Sequence, residues 1–166
     1  QGRYCFSTDE AVSTWGTTVV ATRAALRRLR QKGELAMPYK GFYVIVPPEF
    51  RNIGCLPESH FIPYLMEHIG EKYYAGLLSV AEYHGAAHQR PQVFQVVLTK
   101  NKPAIICGKG RVEFIARKNM DKIPTVDFKT PRGYLKISTP SATAFDLVGH
   151  PHHAAGLDNV ATILVE

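Results

Sequence analysis

Cysteine, tryptophan and long apolar runs are all scarce in this 166-residue chain, which holds three cysteines and one tryptophan. No stretch approaches the ~18 consecutive apolar residues of a membrane-spanning helix, so no membrane partner is expected. The N-terminus lacks the basic-then-apolar pattern of a secretory leader. Cys5, Cys55 and Cys107 are too few and too scattered for a disulfide framework or a CxxC zinc site. They are expected to be reduced thiols of a cytoplasmic protein, serving as small core residues. Also absent are a GxxxxGK[ST] loop, a GxSxG elbow and a GxGxxG turn at suitable spacing, so no cofactor is expected. With 45% apolar and only 20% charged residues, the chain has the composition of a folded protein rather than a disordered tail.

What charge there is falls in blocks. The formal total is +6. Residues 1–51 carry +4, residues 52–99 carry −2, residues 100–136 carry +7 and residues 137–166 carry −3. Two basic blocks separated by an acidic one suggest two surfaces that face an anion. Nucleic acid is the usual candidate, because each phosphate contact releases condensed counterions.

The clearest local signal lies in residues 7–33. Ser7 or Thr8 can cap a short helix whose first turn holds Asp9 and Glu10, where carboxylates complement the helix dipole. That helix stops at Gly16. A second opens at Thr17 or Thr18 and runs through VVATRAALRRLRQK to Gly33, with basic residues before its C-terminal stop. At about 100° per residue, Val19, Thr22, Ala25, Leu26 and Leu29 share the inner face. Thr17, Val20, Ala21, Ala24, Arg27, Arg28 and Gln31 fall outward. Small residues let a helix approach a DNA major groove, and arginines reach phosphates or guanine edges.

Next, Leu35–Met37 and Phe42–Val46 read as strands joined by a turn at Pro38-Tyr39-Lys40-Gly41. Helix, tight turn, longer helix and hairpin in that order predict a winged helix-turn-helix over residues 1–48. The candidate DNA-binding residues are Thr17, Thr18, Ala21 and Ala24 near bases, and Arg23, Arg27 and Arg28 on phosphate or guanine. Tyr39 and Lys40 at the wing tip complete the set. Only a short strand fits before residue 7, so the leading helix of such a domain is missing and the chain is expected to be a piece of a longer protein.

Residues 49–62 lack a regular period and are expected to be a linker. Residues 63–166 predict an α+β domain with a mostly antiparallel sheet, shortened at its C-terminus. Its helices are expected from Pro63 to Gly70, from Tyr73 to His84, from Thr139-Pro140 onward, and over 157–166. Its strands are expected at Gln92–Leu98, Ala104–Cys107, Arg111–Arg117, Thr125–Phe128 and Tyr134–Ser138.

Three other arrangements bear on chemistry. His84 and His88 stand at i and i+4, with His150, His152 and His153 far along the chain. Gly85 ends the helix between the first pair, so no metal site is expected. The alternative is that His84 and His88, with Tyr83 and Gln89, hydrogen-bond a turn and orient the strand that follows. Asp127-Phe128-Lys129, with Glu113 or Asp121 as a second carboxylate, looks like a degenerate PD-(D/E)xK nuclease core. The basic 100–136 block alone could also serve an interaction module for RNA or an acidic protein.

Several segments together resemble the AbiEi family of antitoxins of bacterial AbiE toxin–antitoxin systems. The resemblance is carried by GRYCFSTDEA, TTVVATRAALRRLRQKGEL, KGFYVIVPPEF, YYAGLLSVAEYHGAAHQRPQVFQVV and TPRGYLKISTPSATAFDLV, and covers nearly the whole chain. It implies a winged-helix domain that binds inverted repeats in its own promoter, double-stranded DNA being the partner, and so represses transcription. It implies a second, non-enzymatic domain that opposes a nucleotidyltransferase-like toxin without a stable complex. The pattern sets no oligomeric state.

Overall fold

A computed structural model describes residues 3–85 and 92–165. The chain is α+β and divides into two compact units, residues 1–70 with 105–111, and residues 71–104 with 112–166. Among the described residues no helix is long and apolar enough to cross a membrane.

The first unit begins with β1 (Cys5–Ser7), α1 (Thr8–Trp15) and α2 (Val19–Gln31), followed by β2 (Leu35–Tyr39) and β3 (Phe42–Ile45). Ser7 forms a capping box. Its hydroxyl accepts from the Glu10 amide at 3.2 Å, and its own amide donates to the Glu10 carboxylate at 2.7 Å. That amide, opposed by desolvation and aided by Arg3, holds the Glu10 carboxyl below the usual carboxylate range. Gly16 ends α1 at φ +62°, a left-handed backbone that glycine adopts without strain.

Thr18 then caps α2 by accepting from the Ala21 amide at 3.2 Å. Thr22 and Leu26 are fully buried on the inner side of α2. Leu26 joins Ala11, Leu35 and Tyr43, with Phe6, Leu29 and Met37 packed around them. The strands form a sheet in the order β1-β3-β2, antiparallel throughout, with Cys5 opposite Val44 and Leu35 opposite Ile45.

Residues 49–62 do not run free of structure. They hold part of a 3-10 turn at Pro48–Phe50 and the start of α3 (Glu58–Ile69), and they belong to the first unit. The expected start of α3 at Pro63 is five residues late, because Pro63 sits inside the helix. Burial of Phe61, Ile62, Leu65 and Met66 outweighs the amide hydrogen bond that proline cannot make.

The reduced-thiol expectation is also corrected for two of the three cysteines. Cys55 and Cys107, 52 positions apart with Cα atoms at 5.8 Å, form a disulfide, and Cys5 is free and buried. Beside it the Lys109 amide donates to the Ile53 carbonyl at 2.8 Å. A Cβ on Gly108, at φ +59°, would collide with that same carbonyl, so only glycine fits this approach.

The second unit contains β4 (Tyr73–Ala75), α4 (Leu78–Ala81), β5 (Phe94–Leu98), most of β7 (Gly110–Ala116), β8 (Thr125–Thr130), β9 (Gly133–Ser138), α5 (Pro140–Gly149) and α6 (Leu157–Val165). The strand β6 (Ile105–Cys107) precedes β7, and residues 105–111 belong to the first unit. The sheet of the second unit runs β7-β5-β4-β9-β8.

That sheet is mixed rather than mostly antiparallel. The pairs β4–β5 and β8–β9 are antiparallel, and the pairs β5–β7 and β4–β9 are parallel. The expected helix over Tyr73–His84 divides into β4, the one-turn α4 and a 3-10 turn at Glu82–His84. Aromatic Tyr73 and Tyr74 suit a strand, and β4 holds an inner place between β5 and β9. Thr139 and Pro140 open α5 as expected, the threonine hydroxyl accepting from the Ala142 amide at 3.4 Å. Tyr74, Leu77, Val97, Ile115, Leu147, Val160 and Ile163 form the core of this unit.

Candidate nucleic-acid interface

The outer side of α2 is open. Thr17, Thr18, Ala21, Arg23, Arg27 and Arg28 are exposed, and Ala24 is half-buried. Lys40 and Tyr39 at the β2–β3 turn are exposed as well, and Gly41 at φ +77° lets the chain reverse there. The hairpin end is fixed to α1, whose first amide, that of Thr8, donates to the Gly41 carbonyl at 2.9 Å.

The structure brings three of these nine residues together. Arg23, Arg27 and Lys40 line an open groove of about 630 Å³, where Arg30 and His68 join them. Arg23, Arg27 and Arg30 recur at i, i+4 and i+7, so they form one stripe along α2. Among the described residues lining the groove, Asp9 is the acid that opposes their charge and that of Lys40. Concave, mostly cationic surfaces concentrate polyanions by long-range attraction. At about 100° per residue, Ala24 stands roughly 100° and Arg28 and Ala21 roughly 140–160° round the helix from Arg23, on the far flank of its outer side and outside the groove lining.

The hydroxyls of the two exposed threonines each have a partner on the helix. Thr17 Oγ1 is 2.8 Å from Oγ1 of buried Thr22, and Thr18 Oγ1 holds the Ala21 amide. Tyr39 meets the His68 ring edge-on at 6.5 Å between centroids, and Phe42 meets it at 5.4 Å.

Arg30 and His68 were not singled out in the sequence. The three-arginine stripe was visible there as a period of 3–4 and points to Arg30. Nothing in the sequence tells that α3 brings His68 to the hairpin.

The nuclease arrangement is not assembled. Glu113 lies on β7 and Asp127 on β8, at opposite ends of the β7-β5-β4-β9-β8 order. Four strand spacings of ~4.8 Å put them roughly 19 Å apart, too far to share an ion. Asp127 instead pairs with Lys136 at 3.0 Å, its cross-strand partner, and Asp121 pairs with Lys72 at 2.7 Å. Among the described residues no group of three His, Cys, Asp or Glu side chains is placed to hold a metal. His84 Nε2 lies 2.9 Å from the Ser138 carbonyl, so it ties the 3-10 turn to the end of β9. His88 and Gln89 lie outside the described residues.

The +7 block is divided between the two units. Lys109 and Arg111 belong to the first unit and the remainder to the second. Within the second, Lys100 pairs with Glu71 at 3.0 Å, Lys136 with Asp127, and Arg117 with Asp146. Sequence reading also passed over the buried polar centre of this unit. Asp146 on α5 is 1% exposed at its side chain and forms an ion pair with Arg117. The Tyr74 hydroxyl donates to Asp146 at 2.8 Å and accepts from Arg117 at 3.3 Å.

Burial pushes the Tyr74 phenol up, partly offset by Arg117. Burial, and then the Arg117 charge, pushes His150 down. Buried Gln95 is a second hub, accepting from the Leu78 amide at 3.0 Å and donating to the His153 carbonyl at 2.7 Å. These contacts tie α4, α5 and the sheet together.

The first unit thus has the character of a basic helix-and-hairpin surface, and the second that of an α+β domain with a buried polar centre. A family model described as the AbiEi antitoxin C-terminal domain matches residues 74–166, more than half of the chain. The chain belongs to the AbiEi antitoxin family. Membership implies a functional link to a toxin. No curated protein matches the chain.

Proposed function

We propose that this chain is a cytoplasmic, DNA-binding autorepressor as well as an antitoxin. Its first unit would act as a winged helix-turn-helix and its second would oppose a nucleotidyltransferase-like toxin without a stable complex. The observation that carries the DNA-binding reading is the exposed arginine stripe of α2 beside Lys40 of the hairpin. The β1-α1-α2-β2-β3 succession, with sheet order β1-β3-β2, supports α2 as the helix that enters the major groove, which is wide enough to admit one.

Under this reading Arg23, Arg27 and Arg28 contact phosphates or guanine edges, Tyr39 and Lys40 touch the backbone from the wing, and Thr17, Thr18, Ala21 and Ala24 approach the bases. The target is the chain's own promoter, at inverted repeats. The test is a mobility-shift titration of that promoter with wild type and an Arg27→Ala, Arg28→Ala double variant. Each phosphate no longer neutralised removes about 0.9 from the slope of log affinity against log salt. The double variant is expected to bind weakly, with a slope flatter by about 1.8. Unchanged affinity and slope would refute the assignment.

A further inference from the structure

We infer that the N-terminal turn of α2 recognises thymine through its 5-methyl group, with Val20 as the contacting side chain; the inference rests on the DNA-binding reading above. Val20 is 79% exposed. A single exposed valine requires no explanation by itself, so the case rests on its surroundings.

Val20 is the second residue of α2, and the N-terminal residues of a recognition helix are those that reach base edges. Each of the two threonine hydroxyls beside it has one partner within the unit. Thr17 Oγ1 is bonded to Thr22 Oγ1, which is buried, and Thr18 Oγ1 closes the helix end on the Ala21 amide. Ala21 and Ala24, on the same outer side, carry only methyl groups. Val20, Ala21 and Ala24 thus form an apolar patch beside two exposed threonines, while the cationic hydrogen-bonding groups lie further along at Arg23, Arg27 and Arg28.

In the major groove the one apolar feature that distinguishes a base pair is the thymine methyl. Valine is suited to it, because its branched Cβ has a restricted χ1 and presents its methyls with little entropy to lose. The arginines contribute affinity and guanine contacts, and Val20 marks where a thymine must stand.

The test uses the full chain and its promoter duplex, amplified once with dTTP and once with dUTP so that only the 5-methyl groups differ. Wild type is expected to bind the uracil duplex about fourfold more weakly for each 5-methyl group that Val20 would otherwise cover. Val20→Ala should fold normally, since the position is exposed and alanine is the better helix former. It should bind the thymine duplex about fourfold more weakly for each such methyl and should no longer distinguish the two duplexes. This cycle cancels any effect of uracil on duplex flexibility, which acts on both proteins alike. Equal wild-type affinity for both duplexes overturns the inference while leaving DNA binding intact, and so does a Val20→Ala variant that still discriminates fully. Absence of promoter binding by wild type would overturn the DNA-binding reading itself.

Discussion

Replacing Tyr74 by phenylalanine removes one oxygen from the interior of the second unit and leaves the ring in place. That oxygen donates to buried Asp146 at 2.8 Å and accepts from Arg117 at 3.3 Å. A hydrogen bond to a charged group contributes ~1.5–3 kcal/mol. For a domain of this size 1 kcal/mol moves the midpoint by about 4–8 °C. Tyr74→Phe should therefore lower the melting temperature by roughly 6–24 °C in differential scanning calorimetry.

Asp146→Ala should cost more, about 3–5 kcal/mol, because it strands both the Arg117 cation and the phenol. The double variant should cost less than the two single losses added, since both act on one network. A Tyr74→Phe midpoint within about 2 °C of wild type would show that this hydroxyl does not hold the buried pair, as that is below the shift expected from even 1 kcal/mol.

The cysteine pairing predicts that the chain, unfolded in denaturant without reductant, releases one reactive thiol, that of Cys5, and three after reduction; three in both conditions would contradict it. The pH dependence has two limbs. His150 is pushed down by burial and by Arg117, so below its ordinary value the unfolded chain binds more protons than the folded one. Stability should fall as pH drops below the ordinary histidine value of 6.5, and His150→Gln should flatten that limb; an unchanged limb in the variant would oppose the assignment. Burial pushes Tyr73 up to about 12. The folded chain thus keeps this proton when the unfolded chain loses it, and stability should fall above about pH 10; a flat profile there in denaturant titrations would count against the burial.

Local chemistry made the first unit legible. The Ser7 and Thr18 caps, the stops at Gly16 and near Gly33, the inner face of α2 apart from Val19, which is exposed, and the turn at Lys40-Gly41 all depend on neighbours within a few residues. In the second unit the same held for β8, β9 and the Thr139-Pro140 start of α5. Nonlocal features were hidden. The short strand β4 gives too few residues for a period of two, and its partners β5 and β9 lie far along the chain, so it passed for part of a helix. Parallel pairing of β5 with β7 leaves no turn signature between them. Cys55 and Cys107 are joined by the fold and not by spacing, as are Tyr74, Arg117 and Asp146. Asp127 and Glu113 show the opposite error: residue types that fit a nuclease were kept apart by strand order.

The most direct measurement is a titration of the isotopically labelled chain with its promoter duplex, followed by backbone amide shifts. The largest changes are expected at residues 17–31 and 39–41, with smaller ones near His68. Changes confined to residues 112–165, or none at saturating duplex, would contradict the DNA-binding reading.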